Sequence, residues 1–201
     1  DFGQAIEAAI RTLEKLGATI RDVTLADAGS IQDACAVQIF CDVCHVHRDR
    51  LTADRAMWAP QTSERMSLGR QWTGVDYARS MRAKESWKRT LANAFQTVDL
   101  LLTPTVPCEP PPAVESRSLW EATKAVARNT YAGAFGNLPG LSIPVGFSRG
   151  GFPVSLQLEA AWWQEPLLLR AGHSYQRVTD WHLRRPELPK AGPGPEGGSA
   201  R

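Results

Sequence analysis

The chain has 201 residues, 43% of them hydrophobic and 22% charged, which excludes a disordered protein and suits one ordinary domain or two small ones. A net charge of +2 is too mild to argue for nucleic acid, an anionic membrane or a strongly acidic substrate. No run of about 18 apolar residues writes a transmembrane helix, and the first ten residues carry acids and no basic n-region.

In chain order, Phe2, Ile6, Ile10, Leu13 and Leu16 recur at helical spacing, and Gly17 follows as a stop. Residues 18–25 are rich in β-branched side chains and predict a short strand. Ser30 offers an N-cap, with Asp33 three residues on. Ile31, Cys35, Ile39, Val43 and Val46 then predict a long helix with one buried stripe. A second long helix runs over 75–97, its stripe being Tyr77, Met81, Leu91, Phe95 and Val98. Between the two lies a less regular stretch holding Trp58, Pro60, Gly69 and Trp72.

The apolar run 99–103 (DLLLT) ends at Pro104, and prolines follow at 107, 110, 111 and 112. This reads as a buried strand delivering the chain into a rigid, extended loop. A helix is predicted over 119–131, strands over 141–145 and 154–158 with a turn at Gly150-Gly151, and a helix over 165–178 with Pro166 in its first turn. Residues 186–201 are mostly Pro, Gly, Lys, Glu and Ser and read as a disordered tail, leaving 1–185 as the folded part. The fold class is α/β, lopsided: about four widely separated strands against five or six helices. Such strands need partners that this chain does not fully supply.

Local motifs carry little chemistry. Cys41-Asp-Val-Cys44-His45 has the spacing of a c-type haem attachment site, and on a helix Cys41, Cys44 and His45 share a face with His47 nearby. Haem attachment needs export, however, and a zinc knuckle prefers a turn, so buried packing of the cysteines is the better reading and neither a metal nor a cofactor is expected. Four cysteines without a regular framework do not read as a secreted disulfide scaffold, which leaves the cytoplasm as the expected compartment. No Gly-x-Ser-x-Gly elbow, Walker A, Gly-x-Gly-x-x-Gly or His-Glu-x-x-His pattern occurs. His173 and His182 read as helix C-terminal cations. The seven tryptophans read as core or interface, and the basic residues from Arg79 to Arg89 as a solvated face.

Order along the chain says more. LEKLGA at 13–18, DY at 76–77, DLLLTPTVP at 99–107, LPGLSIPVGF at 138–147, GFPVSLQL at 151–158, EPLLLR at 165–170 and WH at 181–182 follow one another. This series resembles the C-terminal part of the amidase signature family, which includes bacterial amidases, fatty-acid amide hydrolases and the A subunit of glutamyl-tRNA amidotransferases. The resemblance spans roughly residues 5 to 186. It implies part of an α/β/α sandwich with a mixed central sheet, incomplete in this chain. It also implies hydrolysis of a carboxamide C–N bond through an acyl-serine intermediate, in which a neutral Lys and a relay Ser activate the nucleophilic Ser. The two Ser lie in a Gly/Ser-rich segment of the family that, by the resemblance, precedes the matched part, and nothing in residues 1–201 matches it, so residues 1–201 alone are expected to be inactive and no catalytic residue is assigned here.

What this part contributes, by the resemblance, is pocket wall: Arg128, Thr130, Tyr131 and Phe135 ahead of the proline block, with Thr103 and Thr105 beside the same cleft. The implied partners are a small-molecule amide substrate and the N-terminal catalytic half, with a homodimer left open and neither nucleic acid nor a membrane among them. Tyr131, Phe135 and Trp162 lean toward an aryl or alkyl amide. Departures from the family pattern are Ala134, Gly136 and Asn137 before the proline block, Ala127 where the amidotransferase proteins place an acid, and Ser155 in place of a common Gly. Ala127, and the lack of the longer segment that those subunits insert before residues 65–69, argue against a tRNA-linked member. A rival from another class is a non-catalytic remnant or interaction module built on the same fold. Finally, the strands 99–103 and 141–145 are apolar on both faces, so a chain lacking its partner half is expected to be loosely packed or prone to aggregate.

Overall fold

The computed structural model describes residues 2–53, 58–110 and 119–186. Helix α1 (Phe2–Lys15) buries Ile6, Ala9 and Leu13 along one stripe. Gly17, at φ 98°, closes it: the Ala18 N–H reaches back to the Leu13 carbonyl at 3.0 Å, a turn that favours a residue without Cβ. The strand expected over 18–25 does not form; the segment is largely exposed and makes no ladder. A strand exists only where a neighbour accepts its hydrogen bonds, and no strand among the described residues lies beside it.

Helix α2 (Ile31–Val46) matches the long helix, but its buried face differs from the expected stripe. Ile31 and Cys35 are buried together with Ala36 and Phe40, whereas Ile39 and Val46 are exposed. The face is set by its neighbours α5 (Gly74–Ala94) and the 3₁₀ turn Leu68–Gln71, against which the helix lies. Ser30 does not cap α2; its hydroxyl donates to the Asp27 carbonyl. Helix α5 begins with a reciprocal capping box instead, Thr73 with Asp76. Its buried residues are Ser80, Trp87 and Leu91, while Met81 is exposed. Ser80 Oγ donates to the Ala34 carbonyl at 2.8 Å, which ties α5 to α2 where they cross. Two short helices, α3 (Arg48–Ala53) and α4 (Pro60–Ser67), lie between them in sequence.

The three strands β1 (Leu100–Pro104), β2 (Gly140–Phe147) and β3 (Pro153–Ala160) form an antiparallel sheet in the order β1-β3-β2. A hairpin joins β2 and β3, its turn closed by the Ser148 N–H to the Phe152 carbonyl, with Gly151 at φ 80°. The helix expected over 119–131 is two helices, α6 (Leu119–Val126) and α7 (Thr130–Gly136), because the chain turns at 127–129. Helix α8 (Glu165–Gln176) follows β3, with Pro166 in its first turn as expected. The tail from 187 onward, and prolines 111 and 112, lie outside the described residues.

Alternation along β3 divides the sheet into two unlike faces. Val154, Leu156, Leu158 and Ala160 join Ile143 and Val145 of β2 in a core covered by Ile6, Ala9 and Leu13 of α1 and by Leu168 and Tyr175 of α8. Leu101 points the other way, into a second cluster with Trp87, Leu91, Tyr131 and Phe135. Both faces of β1 are thus apolar, as its sequence requires, and both are covered within this chain. The outer edges of β1 and β2 pair with no other strand among the described residues, and such edges are where an unpartnered sheet associates.

Candidate functional site

The second face of the sheet is where the site residues gather. The register places Thr103 and Ser142 on either side of Gln157, one row across all three strands. Leu101 and Gly140 flank Glu159 in the next row. Gln157 and Glu159 are both buried, and Gln157 Nε2 donates to Glu159 Oε1 at 2.9 Å. Thr105, just beyond β1, is tied by its N–H to the Ser155 carbonyl, and its hydroxyl lies 2.8 Å from that of Ser142. The Thr103 hydroxyl is buried and has no hydrogen-bond partner among the described residues. Gln157 and Glu159 are buried, Thr103 is half-buried and Ser142 is exposed, so this face carries a polar floor that runs from the interior to the surface, where a buried sheet face is ordinarily apolar.

The loop after β1 and the α6–α7 turn meet at one point. Asn129 Nδ2 donates to the Pro104 carbonyl at 2.8 Å, which seats residues 128–130 against the end of β1. Thr130 opens α7, its hydroxyl donating to the Ala127 carbonyl, and Arg128 beside it is exposed. The structure thus brings Thr103, Thr105, Arg128 and Thr130 to the same end of the sheet. Tyr131 and Phe135 lie deeper. Phe135 is only 1% exposed, packed in the cluster with Trp87 and Leu91, and the Lys84 ammonium sits 5.8 Å from its ring centre. Burial pushes the Tyr131 hydroxyl above its ordinary value.

Helix α7 is held from several sides. The Trp87 indole N–H donates to the Ala132 carbonyl at 2.8 Å, and the Trp162 indole N–H to the Gly136 carbonyl at 2.9 Å. Asn137, at φ 58°, ends the helix, with the Leu138 N–H returning to the Gly133 carbonyl. Gly133 lies directly on Glu159: a Cβ there would fall within the carboxyl group. Burial, the larger cause, pushes the Glu159 carboxyl from its ordinary 4.5 up to about 7, against the opposing pull of the Gln157 hydrogen bond.

Sequence reasoning missed Ser142, Gln157, Glu159 and Asn129 as site residues. A signal existed for two of them: strict alternation from Val154 to Ala160 leaves Gln157 and Glu159 together on one face. Nothing local marks Asn129. Elsewhere, the Cys41–His47 motif lies at the C-terminal end of α2 with both cysteines half-buried. Cys41 Sγ donates to the Gly69 carbonyl, Cys44 lies against Gly69, His45 is exposed and His47 meets Trp58 edge-on at 5.6 Å. Among the described residues no group of three or more His, Cys, Asp or Glu is arranged to hold a metal ion, and no helix is long and apolar enough to cross a membrane. An open groove of about 410 Å³, lined by Met81, Arg82, Glu85 and Arg89 on α5, contains none of the predicted site residues.

Comparison with known proteins agrees with this architecture. The family model for Amidase matches residues 1–169, and the chain belongs to that family. It is 31% identical over 194 residues to an amidase of Pseudomonas putida, covering 94% of this chain and 41% of that protein. It is 29% identical over 216 residues to the A subunit of the glutamyl-tRNA(Gln) amidotransferase of Cupriavidus metallidurans, covering 92% and 42%. Among solved structures, an amidase crystal structure superposes with a TM-score of 0.76 at 22% identity, over 87% of this chain and 41% of that one. A 6-aminohexanoate cyclic dimer hydrolase with bound substrate gives 0.74 at 20% identity, over 92% and 43%. These two likenesses show a shared fold, of which the present sheet and helices are a part. The chain spans about two fifths of the length of the relatives it matches.

Proposed function

We propose that residues 1–201 are the C-terminal part of an amidase that hydrolyses a carboxamide C–N bond through an acyl-serine intermediate. Membership of the amidase family over residues 1–169 carries this reading, and the polar floor at the end of β1 supports it. The catalytic Lys and the two Ser would come from an N-terminal half, which makes that half the chain's first partner. In such an enzyme the neutral Lys takes a proton from the relay Ser, the relay Ser takes one from the nucleophile, and the nucleophile attacks the carbonyl carbon. Backbone N–H groups of the Gly/Ser segment stabilise the oxyanion, and water then releases the acid. This chain would supply the wall that holds the acyl side: Thr103 and Thr105 from the sheet and Arg128 and Thr130 from the α6–α7 region, with Tyr131 and Phe135 packed behind them as its backing. The half-buried Trp162 ring beside α7 favours an aryl or alkyl amide, and Ala127, where the amidotransferase subunits place an acid, argues for a small molecule over a tRNA-linked substrate. A cytoplasmic location fits such a substrate.

The test begins with the coding sequence ahead of Asp1. An in-frame Lys followed by a Gly/Ser-rich stretch with two serines supports the reading, and the product of that longer frame should release ammonia from aryl and alkyl carboxamides while residues 1–201 alone do not. A start codon immediately before Asp1 would overturn it in favour of the non-catalytic module.

A further inference from the structure

Glu159 is the one charged side chain buried among the described residues, and the mechanism above makes no use of it. We propose that Glu159 is a positioning residue: its carboxyl is the seat of α7, and gain or loss of its proton sets how closely the helix bearing Thr130, Tyr131 and Phe135 approaches the sheet.

The geometry carries this. The carboxyl lies in a gap made by two glycines, Gly133 of α7, which touches it, and Gly140 of β2, where a Cβ would sit 3.9 Å from Glu159 Cγ. The side chain is 7% exposed and receives one hydrogen bond, from Gln157. No ion pair reaches it among the described residues. The elements packed around it offer no compensating charge: β1 and β2 contain no titratable side chain, and α7 contains only Tyr131. Beyond α7, α2 and α5 present Cys35 and Lys84; the Lys84 ammonium is engaged by the Phe135 ring and by Gln38 Oε1 at 3.2 Å. A neutral acid is content in this gap. An ionised carboxylate, with its proton lost to solvent, is left with one donor and must regain water. Gly133 stands in the way, so hydration requires α7 to lift from β3.

Two reporters are already in place. Trp87 and Trp162 donate their indole N–H groups to the α7 carbonyls of Ala132 and Gly136, so lifting α7 stretches or breaks both bonds. The consequence for substrate rests on the reading of α7 as pocket wall, but the movement itself does not, so it is measured without turnover.

The experiment follows the Trp87 and Trp162 indole N–H resonances of ¹⁵N-labelled protein from pH 5 to 9, in residues 1–201 where they give dispersed spectra and otherwise in the product of the longer frame, assigned by Trp→Phe variants. Both are expected to shift or broaden with one midpoint near pH 7, and to exchange faster with water above it. In Glu159→Gln, which keeps the shape and removes the proton, both should hold their low-pH positions through pH 9. The tyrosine and thiol groups nearest α7 are raised above this range, Cys35 to about 11 and Tyr131 beyond its ordinary value of 10. Static resonances in the wild-type chain overturn the proposal without recourse to any variant. So does the same titration persisting in Glu159→Gln, which would assign it to a different group. Absence of amidase activity in the longer frame would leave this result untouched.

Discussion

Replacing Glu159 with Gln has an energetic consequence whose sign and size follow from its surroundings. Folded, the carboxyl keeps its proton up to about pH 7; unfolded, it releases it near 4.5. Between those values the folded state binds more protons than the unfolded one, so stability falls as pH rises. The contribution is whole below about pH 4.5 and lost once pH passes about 7. At about 1.4 kcal/mol per pH unit, the interval corresponds to roughly 3–4 kcal/mol, an upper figure that relaxation of α7 reduces. Because the residue is 7% exposed, solvent screening does little to shrink it. Gln preserves volume and the hydrogen bond with Gln157 but cannot ionise. Urea unfolding followed by tryptophan fluorescence, at low protein concentration and at pH 5, 7 and 8.5, should give a falling stability for the wild-type chain. The Glu159→Gln chain should lack most of that slope, matching the wild type at pH 5 and exceeding it by about 2–3 kcal/mol at pH 8.5. Parallel pH profiles for the two chains would refute the reasoning, since they would mean that Glu159 ionises as readily folded as unfolded.

Two further outcomes test the packing around the site. Gly69→Ala should lower stability by about 2 kcal/mol or more, because the new Cβ would meet the Phe40 carbonyl and lie 2.8 Å from Cys44 Cβ, and a main-chain carbonyl in a helix does not give way; a shift to lower urea midpoint measures it, and an unchanged midpoint counts against the close seating of the 3₁₀ turn Leu68–Gln71 on α2. Among the thiols, exposed Cys108 should react with an aromatic disulfide at pH 8 far faster than Cys35, which is buried and pushed up to about 11 by that burial, so that Cys35 reacts at the rate of unfolding.

What the sequence determined by itself is what depends on nearest neighbours along the chain. The stripe Ile6–Leu13 and the stop at Gly17 define α1 because helical period and a left-handed closing residue are local properties. The DLLLT strand, the Gly150-Gly151 hairpin turn and Pro166 in the first turn of α8 were legible for the same reason. The ordered series of blocks disclosed the amidase family, since the spacing between elements survives where single residues do not.

Tertiary structure decided everything that needs a partner. Residues 18–25 have strand composition and no strand to lie beside among the described residues. Helix α2 carries enough apolar side chains for more than one stripe, and only contact with α5 and Gly69 selects Cys35, Ala36 and Phe40 over Ile39 and Val46. The break at 127–129 that separates α6 from α7 is secured by Asn129 on the Pro104 carbonyl, a hydrogen bond across 25 positions of sequence. Glu159 shows the limit most plainly. Its place on the polar face follows from the two-residue period of β3, but its burial, and with it the altered hold on its proton, comes from Gly133 on a different element. Periodicity gives the direction of a side chain; the dielectric it meets there is set by what folds over it.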